Sequence, residues 1–140
     1  MTMNYTLSED NLLPIISKFD KKIVNGVVLL RGDLATGKTT LVKAIVKAMN
    51  IEESVTSPTF SLQQCYGEKI YHYDLYNHGL DYFISLGMLE ELEKEGLHFV
   101  EWGDAALQEL LEDAGISVTL IEIEKAVDNK RKYKVTYAHS

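Results

Sequence analysis

Gly32-Asp33-Leu34-Ala35-Thr36-Gly37-Lys38-Thr39 is the stretch that decides the fold. It matches the pattern G-x-x-x-x-G-K-[ST] without error, and average residue usage gives such a match by chance in about one chain in 200 of this length. Glycines permit a close main-chain approach, and successive N–H groups at a helix N-terminus attract phosphate. The stretch therefore predicts a phosphate-binding loop, against the alternative of a glycine turn followed by a surface lysine.

The flanking residues agree with this interpretation. Residues 27–31 form a continuous apolar run, which is typical of a strand buried on both faces. In residues 38–49, Leu41, Ile45 and Met49 recur at helical spacing. Further helices are predicted at 8–19, capped by Ser8 and weakened by Pro14, at 81–95, ended by Gly96, and at 104–111. Further strands are predicted at 60–65 and 69–74, joined through Gly67-Glu68, and at 97–100, where the strand is buried.

The end of the chain predicts an antiparallel hairpin with its turn centred on Asp128. This register places Glu122 opposite Lys134 and Glu124 opposite Lys132 on one face. On the other face it places Ile121 opposite Val135 and Ile123 opposite Tyr133, so charges and apolar groups both find suitable partners. The fold class expected is α/β and P-loop NTPase-like, with a mainly parallel central sheet, added antiparallel strands and helices on both faces.

Size and charge restrict the function. The chain has 140 residues, which fits a single domain over 1–140, and it lacks an apolar run long enough for a membrane helix or a signal-peptide-like start. We therefore expect a cytoplasmic protein. A net charge of −7 argues against unaided binding to nucleic acid. The single cysteine, Cys65, excludes an internal disulfide and is expected to be a small buried residue.

The nucleotide is expected to be ATP with Mg²⁺. Lys38 would contact the β- and γ-phosphates and Thr39 would ligate the metal. A guanine-reading Asn/Thr-Lys-x-Asp motif is missing, since Asn129-Lys130-Arg131-Lys132 lacks the aspartate. The chain contains two arginines, Arg31 and Arg131, which makes a small-molecule kinase with two phosphorylated substrates an awkward alternative.

Two strand ends offer a carboxylate for the metal. Glu101 closes the run 97–100, and Asp74 closes residues 70–73. Either could ligate Mg²⁺ or position its water, and the sequence leaves the two roles open. His72, two residues before Asp74, could form a metal pair with it, but it is interpreted as a structural histidine. Thr59, in Ser57-Pro58-Thr59-Phe60, follows the loop helix as a γ-phosphate-sensing threonine would, or belongs to a simple proline turn.

Taken in order, these motifs resemble the TsaE (YjeE) family of small bacterial ATPases. The resemblance rests on residues 32–40, 57–60, His72-Tyr73-Asp74-Leu75-Tyr76, Leu86-Gly87 and Glu101-Trp102, and it covers nearly the whole chain. The usual family loop reads Gly-Asp-Leu-Gly-Ala-Gly-Lys-Thr, whereas this chain has Ala35 and Thr36. Asn77 stands where the family often has an arginine.

The resemblance implies a role in the biosynthesis of threonylcarbamoyladenosine in tRNA, with partner proteins TsaB and TsaD. It implies slow, partner-stimulated ATP hydrolysis, with Lys38 on the phosphates and with Thr39 and Glu101 on the metal. Together with Asp74, the second strand-end carboxylate, Lys38 and Glu101 are the expected catalytic residues. Trp102 would lie near the nucleotide, and Thr6 and Arg131 would complete the base pocket. The remaining nucleotide-binding residues would be Asp33, Leu34, Ala35, Thr36, Gly37 and Thr40. The alternatives are a small P-loop kinase and a nucleotide-gated interaction module.

Overall fold

The computed structural model describes residues 2–19, 25–33, 37–49, 63–66, 70–75 and 80–137. The strands are β1 (Thr2–Ser8), β2 (Gly26–Arg31), β3 (Gln63–Tyr66), β4 (Ile70–Asp74), β5 (Leu97–Glu101), β6 (Val118–Lys125) and β7 (Lys130–Thr136). The helices are α1 (Leu13–Ile16), α2 (Lys38–Ala48), α3 (Leu80–Ser85), α4 (Met88–Glu91) and α5 (Ala105–Asp113). None of the helices in these ranges is long and apolar enough to cross a membrane.

The described strands form one sheet in the order β1-β7-β6-β2-β5-β4-β3. The four central strands β6, β2, β5 and β4 run parallel, whereas β7, β1 and β3 add antiparallel edges. Strand β2 is buried on both faces because a parallel strand lies on each side of it and helices cover the sheet above and below. The expected α/β class with antiparallel additions is confirmed.

Alternate residues of β2 point to two separate cores. Val28 and Leu30 pack with α1 and α2, while Val27 and Leu29 pack with α3 and α5. The two-residue period of a strand produces this division. Helices therefore cover both faces of the sheet, as expected, and Gly37 leads directly into α2 on one of them.

The C-terminal hairpin has the predicted register in every pair. Glu122 lies opposite Lys134, Glu124 opposite Lys132, Ile121 opposite Val135 and Ile123 opposite Tyr133. Its turn contains Asp128 and Asn129, both with positive φ, a conformation that short polar side chains tolerate.

Two helix predictions and one burial prediction are wrong. Residues 2–8 form strand β1, so Ser8 ends a strand rather than capping a helix, and α1 begins at Leu13 with Pro14 in its first turn. The helix expected over 81–95 is divided because Gly87 adopts φ +74, which ends α3 and begins α4. Cys65 is exposed because it lies on the edge strand β3. The turn expected at Gly67-Glu68 lies outside the described residues.

Two fully buried tyrosines differ in how their hydroxyl groups are satisfied. The Tyr73 hydroxyl lies 2.8 Å from His98 Nδ1 and accepts a hydrogen bond from Gln63 Nε2 at 3.1 Å. The Tyr133 hydroxyl has no hydrogen-bond partner among the described residues. Burial raises the pKa of Tyr133 to about 12. A buried hydroxyl without a partner costs free energy that a phenyl ring avoids.

We expect Tyr133→Phe to raise the free energy of unfolding by about 1 kcal/mol, because it removes an unsatisfied buried hydroxyl. The Tyr133 pKa is higher in the folded state than its unfolded value of about 10. The free energy of unfolding is therefore unaffected by ionisation of Tyr133 below pH 10, and it falls as the pH rises through about 12. The variant should lack this alkaline loss, measured by denaturant unfolding at several pH values.

Tyr73→Phe is the matched control. It removes a hydroxyl that bonds two side chains, so we expect it to lower the free energy of unfolding by about 1–3 kcal/mol. Equal destabilisation by the two variants would contradict the assignment of Tyr133 as the unsatisfied group.

Candidate nucleotide-binding site

The predicted phosphate loop lies at a junction between a strand and a helix. Gly32 follows the end of β2, and Gly37 precedes Lys38, the first residue of α2. Gly37 adopts φ +102, a conformation that a side chain would strain. The N-terminus of α2 lies there, and the first N–H groups of a helix have no partner within the helix itself. Residues 34–36, and with them the predictions for Leu34, Ala35 and Thr36, lie outside the described part of the chain.

The Lys38 ammonium group is buried inside this junction. Its Nζ donates to the carbonyl oxygens of Gly32 at 2.8 Å and Asp33 at 3.0 Å, and it lies 4.1 Å from the centre of the Trp102 ring. Burial lowers the pKa of Lys38, and the negative charges of Glu101, Asp74 and Asp33 oppose this effect. A cation held mainly by carbonyl oxygens and an aromatic face can exchange these contacts for those of an entering anion.

Glu101 and Thr39 meet beside Lys38. Thr39 Oγ1 lies 3.0 Å from Glu101 Oε1 and 2.9 Å from Oε2, although the two residues belong to α2 and β5. An octahedral Mg²⁺ binds oxygens at about 2.0–2.1 Å, so neighbouring ligand oxygens are about 2.9 Å apart. The hydroxyl and the carboxylate therefore have the chemistry and the spacing of two adjacent Mg²⁺ ligands.

His72 also contacts Glu101. Its Nε2 lies 2.5 Å from Glu101 Oε2, and the imidazole is fully buried. The sequence interpretation of His72 as a structural histidine missed this contact. Strand alternation places His72 and Asp74 on one face of β4, but the pairing register with β5 was needed to bring that face to Glu101.

The remaining acidic candidates lie at the same end of the sheet. Asp74 is the register partner of Glu101 across β4 and β5, and its charge acts on Lys38. Asp33 is exposed and contributes its carbonyl oxygen to Lys38. Thr40 is partly exposed in the first turn of α2. Asp74, Glu101 and Lys38 are thus brought together as the sequence predicted.

A tight turn after β5 positions Trp102. This residue adopts φ +66, which is unusual for a bulky side chain, and its N–H donates to the Leu30 carbonyl at 3.1 Å. Arg31 holds the next residue, donating from Nε to the Gly103 carbonyl at 2.7 Å and from Nη2 to Gln108 at 2.9 Å. Arg31 therefore supports the turn that places the indole ring against Lys38, a role that the sequence did not indicate.

The other predicted residues lie around the entrance to the loop. Arg131 forms an ion pair with Glu9 at 2.8 Å, and the Glu9 carboxylate lies within 4 Å of where a side chain on Gly37 would begin. Thr6, on the edge strand β1, lines a cavity of about 640 Å³ that also reaches Gly32 and Asp33. Thr6 therefore lies near the loop through this cavity, and Arg131 approaches Gly37 through Glu9, which was not predicted. Arg131 is not part of the cavity lining, and it lies on the other face of β7 from Lys132, the register partner of Thr6.

Some predicted residues lie in parts of the chain that the structure does not describe. Thr59 and the segment 57–60 lie outside the described residues, as does Asn77. Within the residues that are described, there is no cluster of three or more His, Cys, Asp or Glu side chains able to hold a metal by themselves. A metal at Thr39 and Glu101 would therefore need oxygens from another source, such as phosphate or water.

Comparison with known proteins identifies the family. The family model described as threonylcarbamoyl adenosine biosynthesis protein TsaE matches residues 7–133. The chain belongs to the TsaE family. The match includes every described strand except part of β1 and the end of β7.

Individual TsaE-family relatives support this membership. Two examples, both named tRNA threonylcarbamoyladenosine biosynthesis protein TsaE, are given by their organisms. The one from Treponema pallidum is 39% identical over 61% of this chain and 66% of its own length. The one from Aquifex aeolicus is 36% identical over 78% of this chain and 75% of its own. For several TsaE relatives the aligned segment spans about half to two thirds of the relative's length.

A solved structure shares the fold of this chain. The crystal structure of YdiB from Bacillus subtilis matches 99% of this chain and 87% of its own with a TM-score of 0.74, at 24% sequence identity. At this identity the likeness concerns the fold alone. The mainly parallel sheet with antiparallel edges is thus shared with a solved protein.

The contact between Lys38 and Trp102 can be tested without any ligand, because Trp102 is the single tryptophan. Since burial lowers the pKa of Lys38 below 10.5, Lys38 should lose its charge at a lower pH than an exposed lysine. We expect the difference in Trp102 emission between the wild-type chain and Lys38→Met to titrate with a midpoint below 10.5. The measurement is tryptophan fluorescence from pH 7 upward.

Lys47→Met provides the control, because Lys47 is an exposed lysine in the last turn of the same helix. Its emission should follow the wild-type curve at every pH. A titration that persists in Lys38→Met would show that another group, and not Lys38, acts on the indole ring.

Proposed function

We propose that this TsaE-family chain binds ATP with Mg²⁺ and hydrolyses it slowly, in support of tRNA threonylcarbamoyladenosine biosynthesis. The observation that carries the proposal is the meeting of Thr39 and Glu101 beside Lys38 at the start of α2. Oxygen ligands at the spacing of a magnesium site, next to a buried cation at a helix N-terminus, favour a nucleotide polyphosphate over a neutral ligand.

In this proposal each residue has a distinct role. Lys38 would exchange its two carbonyl contacts for phosphate oxygens, which is favourable because charged hydrogen bonds are stronger than those to neutral groups. Thr39 and Glu101 would hold Mg²⁺, which supplies charge neutralisation between the phosphates. Asp74 would orient the attacking water or a water on the metal, since it lies beside Glu101 in the register.

The cavity beside the loop supports a place for the rest of the nucleotide. Its walls come from β1, β6 and β7, it has a volume of about 640 Å³, and Gly32 and Asp33 form part of it. This size lies within the range of small-molecule sites. The proposal places the base and ribose here, near Thr6, whereas the Glu9–Arg131 ion pair lies beside Gly37 at the start of α2.

The proposed partners are a TsaB–TsaD pair, acting with this chain in the cytoplasm. Family membership is the support for this step, because the family is described by its role in threonylcarbamoyl adenosine biosynthesis. The transfer to tRNA belongs to a partner, consistent with the net charge of −7 on this chain. A partner would increase hydrolysis by aligning the water or completing the site.

Lys38→Ala should weaken binding of ATP in the presence of Mg²⁺ by about 10- to 100-fold, since a charged contact to phosphate is lost. Isothermal titration calorimetry with a non-hydrolysable ATP analogue measures this change. Lys47→Ala, which removes a lysine exposed at the far end of α2, should bind like the wild-type chain. Unchanged affinity in Lys38→Ala would remove Lys38 from the phosphate site.

The function is tested by ATP hydrolysis with and without purified TsaB and TsaD. We expect a low rate for the chain alone and a rise of at least about tenfold with the pair, because an added partner completes the site. Glu101→Gln should abolish the rise, since it replaces the carboxylate beside Thr39.

The control for this assay is Glu109→Gln, which neutralises an exposed carboxylate on α5. This variant should be stimulated like the wild-type chain. A TsaB–TsaD pair that neither binds the chain nor changes its rate would refute the partner-dependent part of the proposal.

A further inference from the structure

His72 is a buried polar residue whose imidazole contacts the carboxylate of Glu101. The imidazole is 0% exposed, and its Nε2 lies 2.5 Å from Glu101 Oε2. Its other nitrogen, Nδ1, has no hydrogen-bond partner among the residues that the structure describes. Because a carboxylate oxygen only accepts, the contact to an ionised Glu101 requires a proton on Nε2.

Packing alone does not explain a histidine at this position. On the same face of the sheet, Ile70 lies two residues earlier on β4 and Phe99 is the register partner of His72 on β5. Both belong to the apolar core against α2. An apolar side chain of similar size would fill the space without the cost of burying an unpaired ring nitrogen. The hydrogen bond to Glu101 is the property that an apolar residue would lack.

The second buried histidine offers a direct comparison. His98 lies on the opposite face of the neighbouring strand, and both of its nitrogens have partners, the Tyr73 hydroxyl at 2.8 Å and the Lys94 carbonyl at 2.9 Å. It therefore joins elements of the fold and has the contacts of a structural residue. Among the described residues, the hydrogen bond of His72 goes to Glu101 alone, which is the carboxylate of the candidate site.

We infer that His72 is a positioning residue for the metal site. Its Nε2–H holds Glu101 Oε2 from the core side, while Thr39 Oγ1 contacts the same carboxylate from α2. Held from two directions, the carboxylate has a fixed orientation toward a cation next to Thr39. Hydrogen bonds to metal-binding side chains commonly change metal affinity by about 10- to 100-fold. This inference rests on the proposed function.

The experiment compares His72→Phe, which keeps a ring but removes the donor, with His72→Gln, whose amide nitrogen can reach the position of Nε2. Mn²⁺ serves as the probe. Its binding is measured by electron paramagnetic resonance with a non-hydrolysable ATP analogue present. The affinity for the same analogue is measured separately in EDTA, where no divalent cation is available.

We expect His72→Phe to weaken Mn²⁺ binding by about tenfold or more, with little change in nucleotide affinity in EDTA. His72→Gln should recover most of the Mn²⁺ affinity. His98→Phe is the matched control, because it removes a histidine that is equally buried on the other face of the sheet. It should lower thermal stability and leave Mn²⁺ affinity unchanged.

The possible results are distinct. If His72→Phe binds Mn²⁺ like the wild-type chain, or if His98→Phe weakens it equally, the positioning role is wrong while the proposed function stands. A wild-type chain whose complex with the nucleotide analogue takes up no Mn²⁺ would overturn both. Should His72→Phe fail to fold, His72→Asn replaces it. The shorter amide of this variant should lose Mn²⁺ affinity that His72→Gln keeps, and equal affinity in the two would overturn the inference.

Discussion

A buried carboxylate must be paired, and Glu101 imposes this constraint on one end of the sheet. The residue is 3% exposed, and an ionised group at such a depth is costly unless donors and opposite charge surround it. Thr39 and His72 contact its oxygens, and the charge of Lys38 lies close enough to interact with it. The buried Glu101 carboxylate is therefore stable only if α2, β4 and β5 meet at this point and bring their donors to it.

The two faces of the sheet use buried polar groups in different ways. On the side of α3 and α5, Tyr73 and His98 bond each other and further partners, so the network is closed and connects strands to the segment before β5. On the side of α2, the contacts converge on Glu101 and leave one nitrogen of His72 unpaired among the described residues. A closed network strengthens a core, whereas a convergent one fixes a single group in place.

The sequence predicted best what depends on neighbours along the chain. The loop between β2 and α2 and the hairpin register around Asp128 follow from local patterns, as do Lys38 and Thr39. Strand β1 was missed because its partner β7 lies more than 120 residues away. The contacts of His72 with Glu101 and of Glu9 with Arg131 were missed because they too join residues that are not neighbours along the chain and depend on how the strands pair. The division of the predicted 81–95 helix depends on the backbone of Gly87, where a glycine inside a helical pattern is ambiguous.

The charges at the site bear on how it would hold a polyphosphate. Glu101, Asp74 and Asp33 all act on Lys38, so three carboxylates surround one cation. The nearby Glu9 and Arg131 neutralise each other and do not change this balance. A bare nucleotide phosphate tail would bring further negative charge into a region that already has an excess of it, partly shielded from water. In the proposed site, a divalent cation between the carboxylate and the phosphates would reverse the local sign, so Glu101 would repel a free polyphosphate and attract its magnesium complex. The charge distribution around Lys38 therefore supports the proposed dependence on the metal, in addition to the ligand geometry at Thr39.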